Sequence, residues 1–431
     1  MRFRISRIVI AALAATGMPA HAELSLENAI AEAIKSDHWA RSSAFQEQAL
    51  RSQAVASGQL PDPKLRLALA NLPTDSFDFD QENMTQLQVG LSQQFPRGDS
   101  LDIRRKQLGQ QADKGPLARN KRAAQLKRQV SNIWLKLHRV QEQLALLETN
   151  RHLFQELVDI SRANFRSGKT RRFEVIDAEL QITRLNDRIT RMQQQASMFR
   201  SQLNRWLPAV MSHESLPASL PEIKPLLVLD DMSALRAAVQ SHPQLRLLAQ
   251  DIEIRQRGVE LADQAYKPGF RLDTRYGLRD DMPDGRDRAD FFSIAVTFDL
   301  PLFPEKRQDA SRKAAVQQRE AAKEDRLLGL REYHAGLQQA ISNYQGLQQR
   351  LAIYNNDYLR QLREKRISAT RSYAAADGRF SDVAAAAMGE LETKLMKIQL
   401  EHQQAQTIID MNYWLAGEDP LLVANDGEVN P

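Results

Sequence analysis

Few residues in this chain are of a type and spacing that could do chemistry. Ser167-Gly168-Lys169-Thr170 ends like a phosphate-binding loop, whose backbone N–H groups and lysine would cradle a nucleotide. The first glycine of that loop would fall on Ala163, and the stretch joins two helical patterns rather than following a strand. Nucleotide binding is therefore set aside. Seven histidines lie beyond residue 22: His38, His138, His152, His213, His242, His334 and His402. None has a second histidine or a carboxylate at a convincing ligand spacing. With no cysteine in the chain, no zinc site is readable and no metal site is expected. The methionines are scattered, with Met192/Met198 and Met388/Met396 loosely paired, and they read as structural. No nucleophile stands beside a base, so neither catalysis nor a cofactor is expected.

What remains is a pair of carboxylates, Asp377 and Asp382, on either side of Gly378. Two readings stand for them. Repeated around a symmetry axis, a carboxylate would repel its copies, attract cations and hold water in a narrow throat. At the start of a helix it would simply complement the positive end of the dipole, the preferred reading for Asp377.

Composition narrows the classes further. The 431 residues are too many for one ordinary core, and 42% hydrophobic with 26% charged residues describes a folded chain. Without Arg2, Arg4 and Arg7 the formal charge of +5 falls to +2, far too balanced for a nucleic-acid binder. Those arginines precede an apolar run from Ile8 to about Met18, and Ala20-His21-Ala22 is a small-x-small cleavage site. Residues 1–22 thus have the layout of a secretory signal peptide, and the mature chain is expected to begin near Glu23, outside the cytoplasm. No later stretch approaches 18 uninterrupted apolar residues, so any membrane insertion must use β-strands.

The elements that would position these residues occur twice. A shift of 205 aligns Ala29–Pro96 with the second half without a gap, matching Ala29/Ala234, Ser36/Ser241, Gln59/Gln264, Pro63/Pro268 and Pro96/Pro301. By Asn204-Arg205-Trp206-Leu207 against Asn412-Tyr413-Trp414-Leu415 the shift is 208, so three residues entered the second half in between. The expected organisation is a first repeat over 23–225, a second over 226–416 and a tail over 417–431. Pro208, Pro217, Pro221 and Pro225 punctuate the joint.

Each repeat alternates apolar and polar residues in two stretches, 64–72 with 85–95 and 269–278 with 290–300, the period of half-buried strands. Prolines 63, 96, 268 and 301 bracket them. Each repeat also carries a long helical hairpin, over 98–207 and 305–415. Leu117 to Ser167 contains no Gly or Pro, and Glu305 to Asp377 no Pro; as helices these runs span about 75 and 110 Å. Leu126, Val130, Ile133, Leu137, Val140, Leu144 and Leu147 recur by four and three, as does the set from Leu330 to Tyr354 and Tyr358. That is the seven-residue period of left-handed coiled-coil packing.

Strands of this length suit a tilted crossing of an outer membrane, but four leave two open edges. Subunits would therefore share a barrel. Two copies give eight strands, filled by side chains; three give twelve, with an aqueous bore.

This duplicated pattern of strand pair and long coiled helices resembles the outer-membrane efflux channels of the TolC type. The stretches Leu60-Pro61-Asp62-Pro63-Lys64-Leu65, Asn71-Leu72-Pro73 and Gly90-Leu91-Ser92-Gln93-Gln94-Phe95-Pro96-Arg97 look like the heavy-metal efflux branch. The resemblance implies a mixed fold: a periplasmic α-barrel of coiled hairpins continuous with a twelve-stranded β-barrel shared by a homotrimer in the outer-membrane lipid. It further implies a periplasmic adaptor and an inner-membrane proton-driven pump as partners, with passive conduction of heavy-metal cations to the exterior of a Gram-negative cell. Drug efflux or type I secretion through the same fold are the alternatives. A soluble periplasmic coiled-coil adaptor is a third, but it lacks support from any compact Gly-rich domain between the arms. Many relatives carry a lipidated N-terminal cysteine, and this chain has none, so the barrel alone must anchor it.

Function is expected at the two hairpin tips. Arg166, Ser167, Gly168 and Lys169, with Ala376 and Gly378, are the expected adaptor-docking positions. Asp382, Asp377, Arg379 and Tyr373 are the expected gate. Asp382 matches the first acidic gate position of the family, whereas the second falls on Ala385; Arg379 and Tyr373 match bonding positions only approximately. The acidic loops 73–84 and 279–289 should lie at the extracellular rim, where a solvated role is the simpler reading.

Overall fold

A computed structural model describes residues 23–229, 231–375 and 378–419. The expected signal segment, Ala376 and Asp377 of the second tip, and the tail from residue 420 onward lie outside the described residues.

The element order is duplicated. Helices α1 (Leu26–Lys35) and α2 (His38–Ser57) precede strands β1 (Lys64–Ala70) and β2 (Gln86–Phe95). The first hairpin follows as α3 (Ser100–Ala112), α4 (Lys114–Arg166) and α5 (Arg172–Leu203), then a single turn, α6 (Ala209–Ser212). The second copy runs α7 (Met232–Gln240), α8 (Pro243–Gln264), β3 (Gly269–Leu278), β4 (Phe291–Asp299), α9 (Gln308–Ile353), a π-helical turn (Tyr354–Tyr358), α10 (Leu359–Ala374) and α11 (Phe380–Trp414). Both strand starts in the second copy fall 205 residues after those in the first. Pro116 does not delay α4, because the first turn of a helix has no intrahelical use for the missing N–H. The β1 strand stops at Ala70, two residues short of expectation, because Asn71 turns to φ 57°. Asn71 holds the turn by giving its Nδ2 to Met84 O at 3.0 Å and accepting Thr85 Oγ1 at 2.8 Å.

The chain divides into two compact units that cut across the repeat, each drawing segments from both halves. Of the described residues, one unit comprises those in 37–125, 225–341 and 410–419, and contains the sheet. Its strands pair antiparallel in the order β1-β2-β3-β4, so the two hairpins join through β2 and β3. Register decides the faces. Leu67 opposes Val89, Val89 opposes Tyr276 and Tyr276 opposes Phe292, while Ala68, Gln88 and Gly277 take the other face. Every expected apolar position of the four strands thereby shares one side, with Phe95 stacked on Phe270 at 4.6 Å. That side is open to solvent in the single chain: Leu67 is 68% exposed, Phe292 69% and Ile294 65%. Two hydrogen bonds fix the strands to the helices: Arg97 Nη1 donates to Ala265 O at 2.7 Å, and Asp99 N–H to Gln264 Oε1 at 3.0 Å. Gly98, at φ 46°, leaves no room for a Cβ beside Gln264 and Lys267. Asp37 caps α2 and also receives Arg122 Nε at 3.0 Å.

The other unit comprises the described residues of 23–36, 126–224 and 342–409. Its core is the expected seven-residue stripe of α4, with Val130, Leu137, Val140 and Leu147 fully buried, met by Leu185, Ile189, Phe199 and Leu203 from α5. Trp134 is fully buried and donates Nε1–H to Leu24 O at 2.9 Å, while Leu24 N–H reaches Ser215 O at 2.9 Å. The residues just after the expected cleavage site are thus part of this core. The stripe in the second hairpin ends earlier than its period suggests: Leu351 is buried, but Tyr358 is 44% exposed. The π-turn is the reason: its extra residue puts the sequence period one position out of step with the helix face, so Tyr358 no longer falls on the seam. Among the described residues no helix is long and apolar enough to cross a membrane.

Candidate functional site

The first tip is built by the end of α4. Lys169 N–H bonds Asn164 O at 2.9 Å and Gly168 N–H bonds Phe165 O at 3.0 Å, the paired bonds of a Schellman cap. Gly168 takes the left-handed conformation this cap requires, φ 72°, and nothing lies within 4 Å of where a Cβ would sit. Arg166, Ser167, Gly168 and Lys169 are all exposed. Beside them the tip leaves apolar side chains in solvent: Phe165 is 43% exposed, Phe173 58% and Ile176 54%. Arg162 clasps Glu179 at 2.6 and 3.1 Å just inside the turn, joining α4 to α5.

The second tip follows another rule. Gly378 is not left-handed; a Cβ there would lie 2.9 Å from Tyr373 N and 3.0 Å from the Ser372 carbonyl carbon. It is needed because the chain passes against the backbone of the last turn of α10. Tyr373 is half-buried, its ring edge-on to Phe380 at 5.9 Å, and its hydroxyl bonds Asn164 Nδ2 of the first hairpin. Phe380, Val158 and Ala178 form the small core beneath this bond. Tyr373 therefore ties the two hairpins of one chain together. Asp382 lies in the first turn of α11, exposed, with its N–H on Arg379 O at 3.1 Å; Arg379 is exposed as well. The structure thus brings Tyr373, Gly378 and the start of α11 into one turn and leaves Asp382 on its outside.

Deeper along α10 and α11, Glu390 is almost completely buried and receives Arg366 Nε at 2.5 Å and Lys394 Nζ at 2.8 Å. Burial pushes its carboxyl up, but the bonds from Lys394 and Arg366 outweigh this and hold it below the usual carboxylate range. This cluster had no sequence signal, because Arg366 and Glu390 stand on opposite sides of the tip.

One grouping departs from the sequence reading. His138 and His402, both buried, face each other at 2.9 Å, with Glu142 Oε2 at 3.9 and 3.8 Å from the facing nitrogens. The His138/Glu142 spacing, one turn on the same helix face, was the available signal; His402 stands 264 residues away. Burial lowers both histidines, His402 to about 4.

The acidic loops between the strands carry their own counter-charges. Arg279 donates to Asn83 O at 3.0 Å and Arg288 to Asn83 Oδ1 at 3.1 Å, joining the loops, while Arg286 pairs with Asp284 at 2.7 Å.

No protein-family model and no curated protein matches this chain. Among solved structures it is similar to CusC, described as forming a transmembrane channel, at 14% identity over 91% of this chain and 92% of that one, TM-score 0.75. It is similar to the outer membrane protein VceC of Vibrio cholerae, at 14% identity over 91% and 96%, TM-score 0.73. The CmeC outer membrane channel of Campylobacter jejuni gives 12% identity over 93% and 88%, TM-score 0.74. The likeness covers nearly the whole of each of these structures. The chain has the fold of the TolC-type channels.

Proposed function

We propose that this chain is the outer-membrane channel of a tripartite, proton-driven efflux system, passively conducting heavy-metal cations from periplasm and pump to the exterior. The observation that carries the reading is the sheet: one face predominantly apolar and largely exposed, the other mostly polar or small, with β1 and β4 each paired on one side only. A ten-residue strand is about 33 Å long and, tilted by about 40°, rises about 25 Å, the height of an outer-membrane apolar band. Three copies would close twelve strands, remove every edge and leave a wet bore lined by Arg66, Gln88, Arg271 and Arg275. The exposed Phe165, Phe173 and Ile176 beside Arg166 and Lys169 suit docking of a periplasmic adaptor. Asp382 would ring the throat as the gate, with Tyr373 holding its helix to the neighbouring hairpin. The metal cargo rests on the resemblance of the 60–65, 71–73 and 90–97 stretches to the heavy-metal branch.

A deletion strain, grown across copper, silver, zinc, cadmium, cobalt and nickel beside a drug panel, tests this. Sensitivity confined to one or a few metals is expected. Sensitivity to dyes and drugs alone would overturn the cargo, and recovery of the protein in the soluble periplasmic fraction would overturn the channel.

A further inference from the structure

The geometry points to a buried site for a divalent late first-row transition cation, held by His138 Nδ1, His402 Nε2 and a Glu142 carboxylate oxygen. All three ligand atoms lie within 4.8 Å of one another, on α4 and α11 of one compact unit. The site goes beyond the transport reading: it stands whatever the channel carries.

Hydrogen counting carries the argument. His138 Nε2 lies 3.0 Å from Pro217 O, and His402 Nδ1 lies 2.8 Å from Ile398 O. A carbonyl oxygen only accepts, so each of these outer nitrogens bears the ring's single hydrogen. The two inner nitrogens, 2.9 Å apart, then present lone pair to lone pair. Something electrophilic has to lie between them. A third proton would lie on the line between the nitrogens and leave the Glu142 oxygen, 3.9 and 3.8 Å from them, out of hydrogen-bond reach. A cation shared with Glu142 satisfies both lone pairs and takes that carboxylate as its third ligand and partial counter-charge. At metal–nitrogen distances of about 2.0–2.1 Å, tetrahedral ligands stand about 3.3 Å apart, so the rings need part by only ~0.4 Å. Two imidazoles and one carboxylate suit Zn²⁺, Co²⁺, Ni²⁺ or Cu²⁺, rather than all-oxygen Mg²⁺ and Ca²⁺ or sulfur-seeking Cu⁺. The outer carbonyl bonds supply the orientation that ligating histidines ordinarily receive from a second layer. Trp134, stacked on His138 at 5.1 Å, walls the pocket on the apolar side. Bound metal would staple α4, α11 and the segment at Pro217 together.

The test uses the full mature protein in detergent, without a histidine tag, titrated with Co²⁺ and followed by visible d–d absorption, then with Zn²⁺ by calorimetry. One cobalt per chain, displaced by zinc, is expected. Glu142→Gln and His402→Gln should each weaken binding at least ~10–100-fold, the loss seen when even an outer partner is removed. His152→Gln, in the exposed His152–Glu156 pair of the same spacing, should change nothing. Glu142 is partly exposed, so its substitution should leave the fold intact. No saturable cobalt band in the unsubstituted protein, or binding that survives both substitutions, would overturn the site. A cobalt-binding protein whose deletion strain lacks a metal phenotype keeps the site and loses only the cargo reading.

Discussion

Placing an arginine at Ile294 separates a membrane-spanning sheet from a soluble one. Ile294 sits near the middle of β4, 65% exposed, opposite Thr274 on the apolar face. If that face meets lipid, an arginine near the bilayer midplane costs about 2–4 kcal/mol per chain, and a trimer feels it three times. Each chain alone loses roughly 1.5–3 decades in its folding equilibrium. Ala295, one residue on, faces the other way and lies opposite Asp273. Ala295→Arg should cost nothing measurable and could gain ~0.2–1 kcal/mol from a cross-strand ion pair. The assay is the amount of heat-modifiable trimer in outer-membrane fractions, with refolding into lipid vesicles as the purified counterpart. Ile294→Arg should collapse both yields, and Ala295→Arg should match the parent. Equal behaviour of the two variants would refute the assignment of faces, and normal assembly of Ile294→Arg would refute insertion itself.

At the second tip, Gly378→Ala should destabilise the turn by ~1–3 kcal/mol, since its Cβ meets backbone rather than a movable side chain; faster proteolysis near Ala375 would reveal it. Gly168→Asn, by contrast, should be tolerated within about 1 kcal/mol, because the left-handed cap has open space. Asp382→Ala should raise single-channel conductance or antibiotic leakage, and unchanged behaviour would remove it from the gate. His242 caps α8 by accepting Gln244 N–H at 3.0 Å, between the rings of Tyr333 and Tyr413 and near Lys121; burial pushes it down to about 4. Because the folded form prefers the neutral ring, its stability contribution is complete above pH 6.5 and is lost as pH falls towards 4. About 2 kcal/mol should disappear between pH 7 and 5, seen in denaturant midpoints, and His242→Asn should flatten that part of the slope.

The sequence carried the architecture because a duplicated chain repeats its own punctuation. Prolines 63, 96, 268 and 301 and strict alternation located all four strands, and the four-three stripe of α4 located its buried face. Three things were not legible. The role of Gly378 depends on a close approach to Ser372 and Tyr373, which no local pattern encodes, whereas Gly168 follows from a helix end. Tyr373 reads as a tip residue, but its partner Asn164 lies 209 residues away on the other hairpin. The His138–His402 pair was missed for the same reason: each histidine occupies an ordinary helical position, and only tertiary packing turns their ring nitrogens towards each other.

The π-turn at Tyr354–Tyr358 bears on how the two copies could drift apart. Adding one residue to an α-helix turns everything beyond it by about 100°, which would swing an entire tip to a new side. A π-turn confines the addition to a local swelling and lets the downstream helix keep its heading. The second copy is three residues longer than the first between matched anchors, and this turn can host one of them. Its residues Asn355, Asn356 and Asp357 are exposed, so the swelling disturbs no core. One residue of the added length can thus sit in this turn without swinging the tip of its hairpin.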